Sequence, residues 1–280
     1  MLLRNVRNLA LAVSASVLIS QSVQAAPVPS TITITVSPVA ANALADLVAD
    51  FLNDFPVATY GYSISLQVVP DDEAKAGIIS GNAVPDLFLS QSFVAPEGLL
   101  IHHPELVSGK PFAYAQDPLV FYSSAEKNVD VSQGVPTLNN LQKFSIPDPA
   151  SLDPYGIAAT LLLNKTYVLA LSKQKVLKTP DATTSFAAVE YLPVAAGGTA
   201  YGFTGKSQIC SAIAGTEEFE PGSSHYEFTN VVPILLAGIK IAKPSRTQEQ
   251  EAELADFISF LSTGAGRNNF IEHCFRIPSF

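Results

Sequence analysis

The chain is poor in the residues that catalytic and metal-centred readings require. It holds 2 cysteines and 4 histidines in 280 residues. No G-x-S-x-G elbow, H-E-x-x-H helix or Walker loop occurs, so the local motifs of serine hydrolases, zincins and P-loop enzymes are missing. Gly197-Gly198 precedes a predicted strand instead of joining strand to helix, which is not a dinucleotide fingerprint. Adjacent His102 and His103 point apart and do not share one metal ion; they read as a solvated loop. Ser224 and His225 form no catalytic spacing. No nucleophile, base and orienting group can be named together, so the chain reads as a non-enzyme without a cofactor. Cys210 and Cys274 lack a second ligand at finger-like spacing, and His273 points away from its neighbour. In an oxidising compartment the two are a candidate disulfide, which spacing alone leaves open.

Positive charge is also scarce. Lys plus Arg number 16 against 25 Asp plus Glu, a net charge of −9. Arg4 and Arg7 open a leader-like stretch with an apolar run from Leu9 to Ile19. Val23-Gln24-Ala25 then offers a signal-peptidase site, and the next residue is Ala26, not a lipid-accepting Cys. Residues 1–25 therefore read as a secretory signal peptide, and the exported chain carries a balance of −11. That charge argues against nucleic acid and anionic membranes as partners. Later apolar runs are too short to span a bilayer: Ile234 to Ile239 is brief, and Leu161 to Leu171 is interrupted by Asn164 and Lys165.

Hydrophobic residues make up 48% of the chain, enough for a substantial core. Thr31 to Val36 alternates as a strand, and Leu44, Leu47, Val48, Phe51, Leu52 and Phe55 share one face of a helix that Pro56 stops. Tyr62 to Val69 is a strand, Glu73 to Ser80 a short helix closed by Gly81, and Asp86 to Ser90 a buried strand. Strands alternating with helices predict a parallel sheet covered on both faces. The middle predicts strands at Pro118 to Ser123 and Lys143 to Asp148, and a loop over Lys127 to Pro136. A long helix follows over Tyr155 to Lys173, opened by an Asp cap and a proline. Further elements are a helix at Ser185 to Tyr191, a strand at Gly198 to Phe203 and a helix at Lys206 to Ala212. The end predicts a strand at Val231 to Ile239, a helix at Thr247 to Leu261 and a last helical turn at Phe270 to Phe275. The simplest architecture is two α/β lobes, residues 26–115 plus 232–280 and residues 116–231. Hinges fall near Phe112 to Leu119 and Phe228 to Pro233, with a small-ligand cleft between the lobes.

Five strings in order resemble the molybdate-binding periplasmic proteins, type-II solute-binding proteins of ABC importers. They are ITITVSPVAANALADL, NAVPDLFLSQS, IPDPASLDPYGIAATLLL, AYGFTGKSQ and SHYEFTNVVPILLAG, and they span nearly the whole exported chain. The resemblance implies a two-lobe α/β fold with mixed sheets, a monomer, an oxyanion in the cleft and a membrane permease as partner.

Followed position by position, the family's ligand set thins. Val39 stands where the family has a serine after its first strand, with Ser37 two residues earlier. Pro70-Asp71-Asp72-Glu73 replaces a serine-rich turn. Tyr155 keeps the place of a backbone donor at a helix start, and a further donor falls near Thr184. Thr204-Gly205 replaces a tyrosine before a glycine, with Tyr201 three residues earlier. Tyr155 is expected at the cleft, and Tyr60, Tyr62 and Tyr201 in the core.

An oxyanion site needs donors at helix starts and no nearby acceptors. A like-charge pair at ~4 Å costs on the order of 4 kcal/mol at a surface-like dielectric, against about 1 kcal/mol for a hydroxyl hydrogen bond. Two readings of Asp71 to Glu73 stay open: caps of the following helix, or carboxylates lining the cleft for a cation. The ligand is then an oxyanion, a cationic or polar organic solute, or absent, with the scaffold used for protein contacts.

Overall fold

The structure, a computed structural model, describes residues 27–213 and 216–278. The leader expected at residues 1–25 lies outside the described residues. In chain order the elements are β1 (Ile32–Val36), α1 (Ala41–Asp54), α2 (Val57–Tyr60), β2 (Ile64–Val68), α3 (Asp71–Ser80), β3 (Leu87–Ser90) and α4 (Val94–His102). Next come β4 (Phe112–Asp117), β5 (Leu119–Ser123), β6 (Phe144–Pro147), α5 (Pro154–Leu163), α6 (Lys165–Ser172), β7 (Val176–Thr179) and α7 (Ala182–Glu190). β8 (Tyr201–Gly205), α8 (Lys206–Ile209), β9 (Cys210–Ile213), β10 (Thr216–Phe219), β11 (Ser224–Glu227), β12 (Ile234–Lys240), α9 (Gln248–Leu261) and α10 (Gly264–Glu272) complete the chain.

Two five-stranded sheets carry the two lobes. The first runs β2-β1-β3-β12-β4 and the second β11-β5-β8-β6-β7. Each is mixed. β1 is parallel to β2 and β3, while β12 is antiparallel to β3 and β4. In the second sheet β6 is parallel to β7 and β8, and β5 is antiparallel to β8 and β11. β4 and β5 are separated only by Pro118, so the chain passes directly from one sheet to the other there, and it returns between β11 and β12.

The β-branched alternation of β1 buries Ile32, Ile34 and Val36 completely. The apolar stripe of α1 buries Leu44, Leu47 and Phe51 in the same core. Phe51 meets the edges of Phe257 and Phe260 from α9 at 5.3 and 5.5 Å. Such aromatic pairs add about 0.5–1.5 kcal/mol beyond the area they bury. Thr247 and Gln250 close a reciprocal capping box at the start of α9.

Several elements differ from expectation. The helix predicted over Tyr155 to Lys173 breaks at Asn164, whose φ of 47° interrupts the helical path between α5 and α6. Asparagine is among the few residues that adopt positive φ readily. The helix predicted to Ala212 ends at Ile209, because Cys210 enters a two-stranded pairing with β10. The strand expected from Gly198 starts at Tyr201, and the one expected from Val231 starts at Ile234. His102 ends α4 instead of lying in a loop. The last helix is longer than the turn expected at Phe270 to Phe275. Tyr62 and Tyr201 are buried as expected, but Tyr60 is 43% exposed. Cys210 and Cys274 are bridged, with Cα atoms 6.0 Å apart. The bond ties β9 to the segment after α10, a helix that packs on α1 of the first lobe. No helix among the described residues is long and apolar enough to cross a membrane.

Candidate functional site

A cleft of about 590 Å³ opens between the lobes. One wall comes from the first lobe: Ser37 to Val39 after β1, Pro70 to Glu73 at the start of α3, and Gln91 and Ser92 after β3. The opposite wall comes from the second lobe, with Ser151 to Asp153 before α5 and Pro180, Asp181 and Thr183 at the start of α7. Three helix starts therefore converge on one space. Each leaves backbone N–H groups without a helical partner, the ordinary ingredients of an anion site.

Four of those donors are already taken by the chain's own carboxylates. At α5, Asp153 Oδ1 accepts from the Tyr155 and Gly156 amides at 2.9 Å each. At α7, Asp181 Oδ1 accepts from the Thr184 amide at 2.6 Å. At α3, Asp72 Oδ1 accepts from the Glu73 amide at 2.9 Å. Gly156 is required at the α5 start, since a Cβ there would lie 2.3 Å from the Pro147 carbonyl oxygen.

Asp71 and Asp153 face each other's lobes through Gln91. The Gln91 amide donates to Asp71 Oδ2 at 3.1 Å, and its side chain donates to Asp153 Oδ2 at 3.2 Å. Ser90 also donates to Asp71 Oδ2. The other oxygen of that carboxylate, Oδ1, is buried and accepts no hydrogen bond. Burial raises the Asp71 carboxyl to about 6, against the pull of Ser90 and Gln91. Burial likewise raises Asp153 to about 7, opposed by the Gly156 amide and reinforced by the charge of Asp181. Lys75 is the one lysine or arginine lining the cleft among the described residues, against five carboxylates at positions 71, 72, 73, 153 and 181.

Behind the cleft, Asp117 ends β4 fully buried. It accepts from the Tyr155 hydroxyl at 2.7 Å and from the Ser207 hydroxyl at 2.6 Å. Burial raises it to about 6. Beside it, Gln208 of α8 donates to the Val39 carbonyl across the lobes at 3.1 Å.

Of the residues singled out in the sequence, Ser37, Val39, Asp71 and Asp72 line the cleft, with Glu73 beside them. Asp71, Asp72 and Glu73 form the first turn of α3 and line the cleft, a placement that both readings of the acidic turn share. The other three stand elsewhere. Tyr155 is wholly buried, with its hydroxyl on Asp117 and its amide taken by Asp153, so it is not a free donor. Thr184 is exposed, its amide is taken by Asp181, and Thr183 lines the cleft in its place. Thr204 is buried in the second lobe, where its hydroxyl donates to the Ala182 carbonyl at 3.0 Å. Gln91 and Asp181 were missed. Asp181, after a proline and before Thr183-Thr184, carries an N-cap signal; Gln91 carries no local signal.

Two mixed α/β lobes, joined by crossover strands around a ligand-sized cleft, define a solute-binding fold. The family model for bacterial extracellular solute-binding proteins matches residues 32–276. The chain belongs to that family. Compared with curated proteins by sequence, it has no match. Among solved structures it is similar to the periplasmic molybdate-binding protein of Azotobacter vinelandii, with a TM-score of 0.70 and 20% identity over 89% of this chain and 100% of that one. The sulfate-binding protein SubI of Mycobacterium tuberculosis gives a TM-score of 0.61 at 14% identity, over 89% and 87%. Peb3 of Campylobacter jejuni gives 0.61 at 11%, over 88% and 100%. These likenesses show the fold.

Proposed function

We propose that the protein is the exported solute receptor of an ABC-type importer, working in the periplasm or an equivalent extracytoplasmic space. It closes its lobes on a small solute in the cleft, bending at the crossovers near residues 112–119 and 228–233, and presents the closed form to a membrane permease. The family, the two-lobe fold and the likeness to periplasmic molybdate-binding and sulfate-binding proteins support this reading. The solute is not a molybdate-like dianion. The observation that carries this is the occupation of the Tyr155, Gly156, Thr184 and Glu73 amides by Asp153, Asp181 and Asp72. An incoming oxyanion finds acceptors where it needs donors.

Thermal shift with molybdate, tungstate and sulfate tests the claim. A ligand that binds only the folded protein stabilises it by about 2.7 kcal/mol at a hundredfold excess over Kd. None of the three anions is expected to move the melting temperature beyond the effect of matched chloride. A saturable molybdate shift overturns the exclusion of oxyanions.

A further inference from the structure

Building on the solute-receptor reading, we infer that the cleft takes an organic cation: an ammonium group held between Asp71 of the first lobe and Asp153 of the second, attached to a small apolar body. The first observation is the Asp71 carboxylate. It lines the cleft, and its buried Oδ1 accepts no hydrogen bond. A buried acceptor without a partner is costly, and an N⁺–H donor from a ligand satisfies it with a charge-assisted bond about twice as strong as a neutral one.

The second observation is placement. Gln91 touches both carboxylates, which puts Asp71 and Asp153 within the reach of a single residue across the cleft. A cation between them draws the two lobes together, which is the closure that a receptor signals. Asp71 Oδ2 and both oxygens of Asp153 accept hydrogen bonds within the chain, so each carboxylate is fixed in orientation before a ligand arrives.

The third observation separates an organic cation from a metal ion. Among the described residues, no group of three or more His, Cys, Asp and Glu side chains is placed to hold a metal. The cleft wall is instead partly apolar, through Val39, Val94, Ala95 and Leu152. Leu152 is 57% exposed and Val94 47% exposed, apolar surface available to a ligand. Leu152 holds a φ of 60°, a conformation that non-glycine residues adopt uncommonly. A volume of about 590 Å³ lies within the ~300–1,000 Å³ of pockets for small organic ligands.

The test uses the processed protein at pH 8, by thermal shift and by small-angle scattering for lobe closure. The probes are butylammonium, benzylammonium, putrescine and agmatine; butanol, benzyl alcohol, butyrate and benzoate are the matched controls. At least one ammonium is expected to raise the melting temperature saturably and to shrink the radius of gyration, with the alcohols and carboxylates silent. Asp71→Asn is expected to weaken that ammonium about tenfold, the loss of one charge-assisted bond. Asp50→Asn, at an exposed position of α1 outside the cleft, is expected to stay within about twofold. If an alcohol or a carboxylate binds as well as its ammonium, the cation assignment falls while the receptor reading stands. If every probe and oxyanion is silent in both measurements, both fall. If Asp71→Asn binds the ammonium like the wild type while remaining folded, the placement at Asp71 is overturned.

Discussion

Asp71, Asp117 and Asp153 keep their protons to a higher pH in the folded chain than an ordinary aspartate at 3.8 does, because burial disfavours their charged forms. Between pH about 4 and about 7 the folded state thus binds more protons than the unfolded state, and stability falls as pH rises through that window. Melting temperature measured from pH 5 to pH 8 is expected to decline. Asp71→Asn keeps an acceptor for Ser90 and Gln91 but removes the buried charge, so at pH 8 it is expected to melt above the wild type and to flatten the decline. A lower melting temperature at pH 8 would mean that charged bonds to Ser90 and Gln91 outweigh the cost of burial. Asp148 and Glu251, lowered by backbone and lysine partners, act oppositely and only below the ordinary carboxylate range. Gly156→Ala drives a methyl group into the Pro147 carbonyl. It is expected to cost about 1–3 kcal/mol in chemical denaturation, the usual range for overpacking. At this scale the acidic turn was legible, since three successive acids after a proline stand out in any sequence. The satisfied state of the Tyr155 amide was not: Asp153 was visible as a cap, but only coordinates show its carboxylate seated on two donors.

The elements that position the cleft were read where their signals are local. The β1 alternation, the α1 stripe and the Asp153-Pro154 start of α5 appear in the structure close to their predicted places. The capping box of α9 is a further local device, with Thr247 accepting from the Gln250 amide at 3.2 Å and the Gln250 side chain accepting from the Thr247 amide at 3.0 Å. Thr247→Ala is expected to cost about 1 kcal/mol in urea denaturation. A value near zero would mean that the packing of Phe257 and Phe260 alone fixes the helix end. Elements defined by their neighbours were not legible. β4, β7, β10 and β11 are four to six residues long and owe their extended form to the strands beside them. The break at Asn164 is similar, because the stretch around it is apolar enough to read as one helix. Only the turn of the chain at that residue separates α5 from α6.

Across the whole molecule, the two-lobe plan followed from the order of elements together with the five family-like strings. The covalent tie between lobes did not, because 64 residues separate its cysteines and nothing in that spacing shows that β9 and the end of α10 are neighbours. The Cys210–Cys274 bond limits how far the lobes can part on that side. Replacing both cysteines by serine is expected to lower stability by about 2–4 kcal/mol in chemical denaturation. It is also expected to enlarge the radius of gyration of the ligand-free protein in solution scattering. An unchanged radius would place the bond outside the path of opening.

The position of β12 bears on the timing of synthesis. It inserts between β3 and β4 of the first sheet, yet it follows every strand of the second sheet in the chain. A nascent polypeptide emerging N-terminus first can therefore finish its second sheet, β5 to β11, while the first still has a gap that later residues must fill. The lobe that begins first is completed last, and the bond at Cys274 can close only after that. Pulse-labelled hydrogen exchange during refolding is expected to protect the amides of β5 and β8 before those of β3 and β12; the reverse order would show that the first sheet nucleates on β1, β2 and β3 alone.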